Sequence, residues 1–582
     1  MANVNIKFNG RDYSVTRGIT ILAAAQETQK LKQEFRQVWI PTLYYLKGIN
    51  DIDESGVCIA EADGEIVNAS VTRVYEGMNI ETMTDKIVSL RKDALSKILS
   101  RHHKDCINCM RSETCELQNL LHEYGFRDEP TLPQEELEEI DTSSIVLVRD
   151  NNKCIRCKRC INVCAKKQAV SAIAATGTGL DASIKPSSPM GLASASCVNC
   201  GQCVAVCPVG ALYEKNSIND VKHAIADPRK FVVAQVAPAV RVSIGESYGF
   251  PAGIDFEGRL SAAIRELGFD KVFDTKFSAD LCIEEEANEF IDRIQNDGVL
   301  PLITSCCPGW IKYAEHFYPD MLDNISSCKS PQQMMGAVIK SYCAKKFNLS
   351  EKDIVVVSIM PCTAKKFEIT RDYEAGTGVN DVDFVLTTNE LGIMLKEADI
   401  QLAAFANEPF DEPVGEGTGA GVIFGVTGGV MEAALRTAVE KITGNAADNI
   451  EFSDVRGLTG VKEASYDVNG SDIKVAVVSG LANANMLLSR IKNGEADYQF
   501  IEIMACPGGC INGGGQPHHT AGELVNCNVL EKRAHALYKN DLNSTVRKSH
   551  ENPAVIKLYN EYLGYPGSEE ALKLLHTKYI VR

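Results

Sequence analysis

A surplus of positive charge is what this 582-residue chain most plainly lacks, with 60 Lys and Arg against 77 Asp and Glu and a net charge of -17. A surface that neutralises phosphates needs the opposite balance, so nucleic-acid binding is excluded as its main business. An acidic surface suits a basic-patched protein partner instead. Long apolar runs are also missing: nothing approaches the roughly 18 consecutive apolar residues of a transmembrane helix, and no membrane span is expected. Met1 to Phe8 alternate apolar and polar like a strand, without the apolar centre of a signal peptide or a twin-Arg pair, so a soluble cytoplasmic protein is expected. There is no Walker motif and no separate nicotinamide or flavin domain. Gly415-Glu416-Gly417-Thr418-Gly419-Ala420 nearly spells a dinucleotide fingerprint, but it follows no clear strand and has no βαβ context, so a tight backbone turn is the expectation. Any NAD(P) chemistry would then belong to another subunit.

Cysteine is abundant, with 21 residues. Disulfide scaffolds are small and secreted, whereas in a reducing compartment dense cysteine spacing reads as metal binding. Cys154, Cys157, Cys160 and Cys164, and then Cys197, Cys200, Cys203 and Cys207 followed by Pro208, each carry the bacterial ferredoxin spacing, in which the fourth thiol crosses to the other cluster. One 4Fe-4S cubane is expected on Cys154, Cys157, Cys160 and Cys207, and a second on Cys197, Cys200, Cys203 and Cys164. The intervening segment from Thr176 to Ser194, rich in Gly, Ser, Ala and Pro, is expected to be a long surface loop. Upstream, His102, His103, Cys106, Cys109 and Cys115 form a further metal arrangement whose ligand types suit zinc as well as iron.

The chain is too long for one core. Val4, Ile6 and Phe8, the Asn9-Gly10 turn, then Tyr13 and Val15 predict a hairpin, and residues 19 to 30 a short helix. From about Phe231 apolar runs alternate with amphipathic stretches, predicting an α/β domain of two lobes around a cleft. Three of those runs end in cysteine: 299–305 leads into Cys306 and Cys307, 354–359 into Met360-Pro361-Cys362, and 500–505 into Cys506-Pro507-Gly508-Gly509-Cys510. Runs of this length read as buried parallel strands, and ligands of open α/β sheets gather at strand carboxyl ends. Cys307, Cys362, Cys506 and Cys510 are therefore expected to converge as four soft ligands for a cubane.

The blocks Thr304-Ser305-Cys306-Cys307-Pro308, Met360 to Glu368 and Glu502 to Cys510 resemble, in order and spacing, the three signature segments of the iron-only (FeFe) hydrogenases. Nearly the whole chain is similar to the large clostridial type. The resemblance implies an H-cluster, in which one cubane thiolate, matching Cys510, also bridges to a two-iron unit carrying CO, cyanide and an azadithiolate. It gives Cys306 the role of general acid and base, served by an ordinary thiol pKa near 8.5. Behind Cys306 it implies a proton path through Glu286, Ser326, Glu289 and Arg293. Lys365 matches a lysine that contacts cyanide, and Pro238, Ser330, Pro331, Gln332, Met360, Phe424 and Met504 match pocket-lining positions. It also makes His102, rather than His103, the fourth ligand of a 4Fe-4S cluster with Cys106, Cys109 and Cys115.

One departure concerns the first domain. The family's β-grasp ferredoxin domain holds a 2Fe-2S cluster on four cysteines, but the matching positions here are Tyr44, Ser55, Cys58 and Ser70, so no cluster is expected and the domain reads as a docking or structural piece. The expected fold is thus multidomain α/β and α+β: a degenerate β-grasp domain over 1–80, a His/Cys cluster domain over 81–125, a double 4Fe-4S ferredoxin domain over 140–222, a two-lobed catalytic domain over 223–532, and a helical small-subunit-like tail over 533–582. The expected function is interconversion of dihydrogen with protons and electrons, the electrons passing through three accessory cubanes to a partner. That partner is a ferredoxin-like protein or subunit, with formate dehydrogenase or NAD(P)-reducing subunits beyond it, as in a hydrogen-dependent carbon dioxide reductase. The rival readings are a hydrogenase-like assembly or sensory protein without turnover, and a pure electron-transfer subunit.

Overall fold

The computed structural model describes residues 2–32, 38–127, 131–133, 136–371, 375–445 and 450–582. Strands Asn3–Phe8 and Arg11–Thr16 pair antiparallel across a turn in which Asn9 has φ +50° and Gly10 φ +77°, the two positive angles a type I′ hairpin requires. They join Ile59–Ala62, Glu65–Asn68 and Asn79–Glu81 in one five-stranded sheet, against which helix Ile21–Lys32 buries Leu22, Ala24 and Ala25. Helix Asp85–Leu99 starts at the Thr84 cap and leads to the His/Cys segment. Its buried Arg91 donates to the Val57 and Ile59 carbonyls, which ties the sheet to this helix.

In the next domain strand Leu147–Arg149 pairs antiparallel with Leu212–Glu214 and closes the ends of the two cysteine quartets together. The quartet loops are near copies: Arg156 and Lys158 in one, and Asn199 and Gly201 in the other, all have positive φ. Short helices Arg159–Lys166 and Gln202–Ala205 begin directly after them. Left-handed residues at matched positions curl each loop around its own centre. The segment expected to be a plain surface loop is corrected: Ile173–Thr176 and Ser183–Pro186 pair as an antiparallel hairpin.

Two four-stranded sheets build the catalytic half. In the first, Lys271–Asp274, Phe231–Val236, Ile354–Met360 and Phe384–Thr387 are all parallel. In the second, Leu302–Ile303, Phe500–Met504 and Ser471–Ser479 are parallel, with Val461–Val468 antiparallel at the edge. Every residue of 354–360 and 500–504 is buried, as expected for parallel strands covered on both faces. The near-fingerprint glycines are close-packing positions: a Cβ on Gly417 or Gly421 would collide with Lys276, at the start of helix Lys276–Gln295. The carboxyl tail, with helices Val529–Asn543 and Glu569–Leu575, wraps back over this half. There Tyr579 donates to the Ser326 carbonyl at 2.6 Å and Arg582 pairs with Glu315 at 2.7 Å.

Candidate active site and cluster relay

Cys306 and Cys307 follow strand Leu302–Ile303, Cys362 follows Ile354–Met360, and Cys506 and Cys510 follow Phe500–Met504, so all come from carboxyl ends of parallel strands. The structure brings them together. Burial raises the Cys362 thiol to about 12, with Cys307 adding to the rise. The Cys506 thiol, raised first by burial, also feels Cys362, Cys307 and Cys510. Cys307 caps helix Pro308–Phe317, and its sulfur accepts the Ala505 N–H at 3.4 Å. Four thiols that burial and mutual repulsion hold protonated are ionised by a multivalent cation, and thiolates are the ligands of iron-sulfur clusters, so the donor set fits a cubane.

Beside the thiols lies a cavity lined by Pro238, Cys306, Pro331, Gln332, Met360, Cys362, Lys365, Phe424, Met504 and Cys510. Thr275, Ala279 and Gly425 also line it, and no motif in the sequence marks them. The Ser330 hydroxyl stands behind this wall, donating to Glu368 at 2.8 Å. Glu368 is a further residue that sequence reasoning missed. Its carboxylate pairs with the Lys365 ammonium at 2.9 Å and accepts the Gln332 amide at 2.9 Å, so a buried charge on the cavity wall is compensated from behind. The i, i+3 spacing of Lys365 and Glu368 was the available signal. Lys365 also donates to the Cys306 carbonyl at 3.2 Å, which fixes the ammonium at the mouth of the four-thiol group.

Helix Lys276–Gln295 presents Glu286, Glu289 and Arg293 towards Ser326. Burial, then the neighbouring Glu289 charge, pushes Glu286 up to about 8, against which Ser326 and the Ser305 N–H pull. One carboxyl oxygen of Glu286, Oε2, is buried without a hydrogen-bond partner. Ser326 donates to Glu289 at 3.1 Å, and Glu289 meets Arg293 at 2.6 Å, where the helix reaches the half-buried rim. The expectation of an ordinary Cys306 thiol is corrected: burial first, then Cys282 and Glu286, hold it well above the usual thiol value. Near neutral pH the Cys306 thiol therefore keeps its proton, and Glu286 is the group that titrates.

The cysteines of the two ferredoxin-spaced quartets influence one another across the sequence gap. Cys157 feels Cys207 and Cys160, and Cys160 feels Cys154 and Cys207, while Cys203 feels Cys197, Cys200 and Cys164. The fourth thiols are thus exchanged between quartets. Cys106 and Cys115 both lie near Cys109, and Gly210 leaves room for the Cys109 sulfur. His102 is held neutral by burial, which lowers it to about 4. Its Nδ1 lies 3.1 Å from the Lys153 carbonyl, so with the proton there Nε2 keeps a free lone pair, the arrangement of a ligating imidazole. His103 has no comparable anchor on its ring among the described hydrogen bonds. Adjacent sets lie within electrostatic reach of one another: Arg111 feels Cys115 and Cys207, Cys203 feels Cys160, and Cys200 feels Cys362.

Comparison with known proteins matches this layout. The model of the iron-only hydrogenase large subunit, C-terminal domain, matches residues 230–514, and that of the iron hydrogenase small subunit matches 527–582. An NADH-ubiquinone oxidoreductase-G iron-sulfur binding region matches 91–130, a 4Fe-4S dicluster domain 153–211, and a 2Fe-2S iron-sulfur cluster binding domain 1–85. The chain is 44% identical to the NADP-reducing hydrogenase subunit HndD of Solidesulfovibrio fructosivorans, over 100% of both chains. The chain belongs to the iron-only hydrogenases. It is also 40% identical to iron hydrogenase 1 of Clostridium pasteurianum over 99% of each. A solved variant of the FeFe-hydrogenase HydA1 from Chlamydomonas reinhardtii superposes with a TM-score of 0.57 at 43% identity, covering 63% of this chain and 99% of that one. Protein NAR1 of Arabidopsis thaliana is 33% identical over 67% of the chain, so the assembly-factor likeness is weaker and shorter.

In this hydrogenase the 2Fe-2S-type domain does not fit its cluster. Ser55, Cys58 and Ser70 gather around Asp53, whose carboxylate accepts the backbone N–H groups of Leu43, Tyr44, Tyr45 and Ser55 at 2.8 to 3.1 Å. The Ser55 hydroxyl donates to it as well, and Ser70 accepts the Asp53 N–H at 3.0 Å. A buried carboxylate thus takes the amide protons, and three of the four ligand positions offer no thiol. The Tyr44 ring leaves the site altogether: its hydroxyl donates to the Ile155 carbonyl, beside Cys154 and Cys157. Arg159 locks the same segment by donating to the Leu43, Tyr44 and Tyr45 carbonyls while paired to Glu116 at 2.7 Å.

Proposed function

We infer that this iron-only hydrogenase interconverts dihydrogen with two protons and two electrons at an H-cluster on Cys307, Cys362, Cys506 and Cys510. The observation that carries the reading is Cys306, which lines the cavity beside those thiols and lies within electrostatic reach of Glu286. When bound, the H-cluster supplies an open iron site and an amine base. The protein's own residues do the rest. Lys365, its charge compensated by Glu368, offers N–H groups to an anionic ligand in the cavity. Pro238, Pro331, Met360, Phe424 and Met504 keep water out of it. Cys306 passes a proton to or from the cavity, Glu286 exchanges it, and Ser326 and Glu289 carry it to the Arg293 end.

Electrons pass between the active site and a partner through three accessory 4Fe-4S clusters, and the electrostatic proximity of Cys115 and Cys207 to Arg111, of Cys160 to Cys203, and of Cys200 to Cys362 supports that order. The first domain carries no 2Fe-2S cluster and serves as a docking piece. The enzyme works in the cytoplasm inside a multisubunit assembly, its electrons shared with formate dehydrogenase or NAD(P)-reducing subunits through ferredoxin-like ones. A relative named as an NADP-reducing hydrogenase subunit and the clusterless first domain support an assembly. Among the described residues no helix is long and apolar enough to cross a membrane.

The test is Cys306→Ala, with the H-cluster reconstituted and both directions assayed. A loss of about 10²-fold or more is expected, the lower range of a general acid and base contribution. Near-normal turnover contradicts the role.

A further inference from the structure

Outside the cluster ligands, one group of side chains has the composition of a transition-metal site. Glu289, Cys328 and His576 each bring one ligand atom, all within 4.8 Å of one another. They come from distant parts of the chain: Glu289 from helix Lys276–Gln295, Cys328 from the segment after Ser326, and His576 from the tail, whose backbone bridges to Cys328. Cys328 is fully buried, whereas Glu289 and His576 are half-buried and give an ion an approach from solvent.

The hydrogen bonds fix the imidazole for ligation. His576 Nε2 lies 3.1 Å from Glu285 Oε2, which also accepts the Gly567 N–H at 2.8 Å. The other oxygen of Glu285 accepts the Tyr559 hydroxyl. A carboxylate held so places the imidazole proton on Nε2 and leaves the Nδ1 lone pair facing Ser327 Oγ, at 2.7 Å. Carboxylate, imidazole and a lone pair held only by a hydroxyl form, in this order, the outer-shell arrangement that orients histidine ligands of zinc. Glu289 Oε2 accepts the Ser327 N–H at 3.0 Å and lies 3.8 Å from the Cys328 sulfur, while Arg293 occupies the other oxygen, Oε1, so the Ser327 hydroxyl is left to donate to Nδ1. The ligand-facing atoms are thus Oε2, Sγ and Nδ1.

We propose that Glu289, Cys328 and His576 bind a divalent zinc-type cation, and that the bound ion closes the proton path at Glu289. On binding, the Cys328 S–H bond breaks, its proton goes to solvent and a sulfur–metal bond forms. Thiolate and carboxylate together balance the two charges of the ion, and water or the Ser327 hydroxyl completes four-coordination. The closure rests on the path assigned above; the site itself does not. With Oε2 committed to metal, Ser326 loses its acceptor, so turnover falls while the clusters stay intact.

The test uses the full-length holoenzyme, treated with chelator and dialysed against zinc chloride, with iron content monitored throughout. The expected result is one tight zinc per chain, absent from Cys328→Ser and from His576→Ala. Zinc-edge X-ray absorption of the unmutated enzyme should show one sulfur at about 2.3 Å with nitrogen and oxygen at about 2.0 to 2.2 Å. Zinc should slow turnover at least about tenfold, a fraction of what an acid and base step contributes, and the two variants should resist it. No sulfur-ligated zinc in the unmutated enzyme overturns the proposal and leaves the path standing. Sulfur-ligated zinc with unchanged turnover keeps the site and contradicts the path through Glu289.

Discussion

At the scale of single residues the proton path turns on Glu286. Its buried carboxyl keeps its proton up to about 8, through burial first and the Glu289 charge second, whereas an unfolded Glu loses it near 4.3. Between those values the folded state binds the extra proton, so the stability from this residue is greatest below the unfolded value and is lost as pH rises towards 8. Glu286→Gln removes that dependence and the proton exchange together. Its melting temperature relative to the unmutated enzyme should rise steadily between pH 5 and pH 8, and turnover should fall about 10²-fold or more. A variant with a flat relative melting temperature and normal turnover contradicts both assignments. That Glu289 and Arg293 meet each other and Ser326 was legible because Glu286, Glu289 and Arg293 share a helix face. Cys306 was misread at the same scale, since a thiol's pKa depends on what encloses it, and Cys282 and Glu286 come from another element. The partner of Ser330 was hidden for a related reason: its hydroxyl bonds Glu368, 38 residues away in sequence.

Among elements, continuous apolar strands and the Asn9-Gly10 hairpin were legible, and a hairpin without such a turn signature was not. Ile354–Met360 and Phe500–Met504 are continuous apolar runs, and the cysteines at their ends marked where the sheets present ligands. The hairpin of Ile173–Thr176 with Ser183–Pro186 buries Ile173 and Ile184, while most of its remaining residues are exposed or partly exposed, too little alternation to distinguish it from a loop. The turn before Leu212–Glu214 carries a consequence that no pattern reveals. A Cβ on Gly210 would stand 2.3 Å from the Cys109 sulfur, so Gly210→Ala should displace that ligand. About four irons per chain, one cubane, should be missing by elemental analysis, with slowed exchange with the partner and unimpaired hydrogen chemistry on artificial donors. Full iron content would show that Cys109 is not a ligand.

For the whole molecule, the cysteine sets follow one another within electrostatic reach, and the first domain, with one thiol at its four ligand positions, adds no such set. Its loss of ligands was legible from Tyr44, Ser55 and Ser70. The replacement by Asp53 was not, because a buried aspartate collecting backbone N–H groups leaves no spacing pattern. Restoring cysteine at those three positions should therefore fail to install a 2Fe-2S cluster while Asp53 holds the loop. Adding Asp53→Gly to the triple variant should free the amides, and only then should 2Fe-2S electron paramagnetic resonance appear. A 2Fe-2S signal in the triple variant alone would show that Asp53 does not occupy the cluster's place.

The family was legible from three cysteine-bearing segments, and the rest of the account depends on those segments meeting. Its most direct test is infrared spectroscopy of the matured, purified protein beside a Cys510→Ser variant. The account predicts bands of metal-bound CO and cyanide with dihydrogen-dependent turnover in the unmutated protein, and loss of both in the variant. A matured protein with all its 4Fe-4S clusters and no such bands would contradict it.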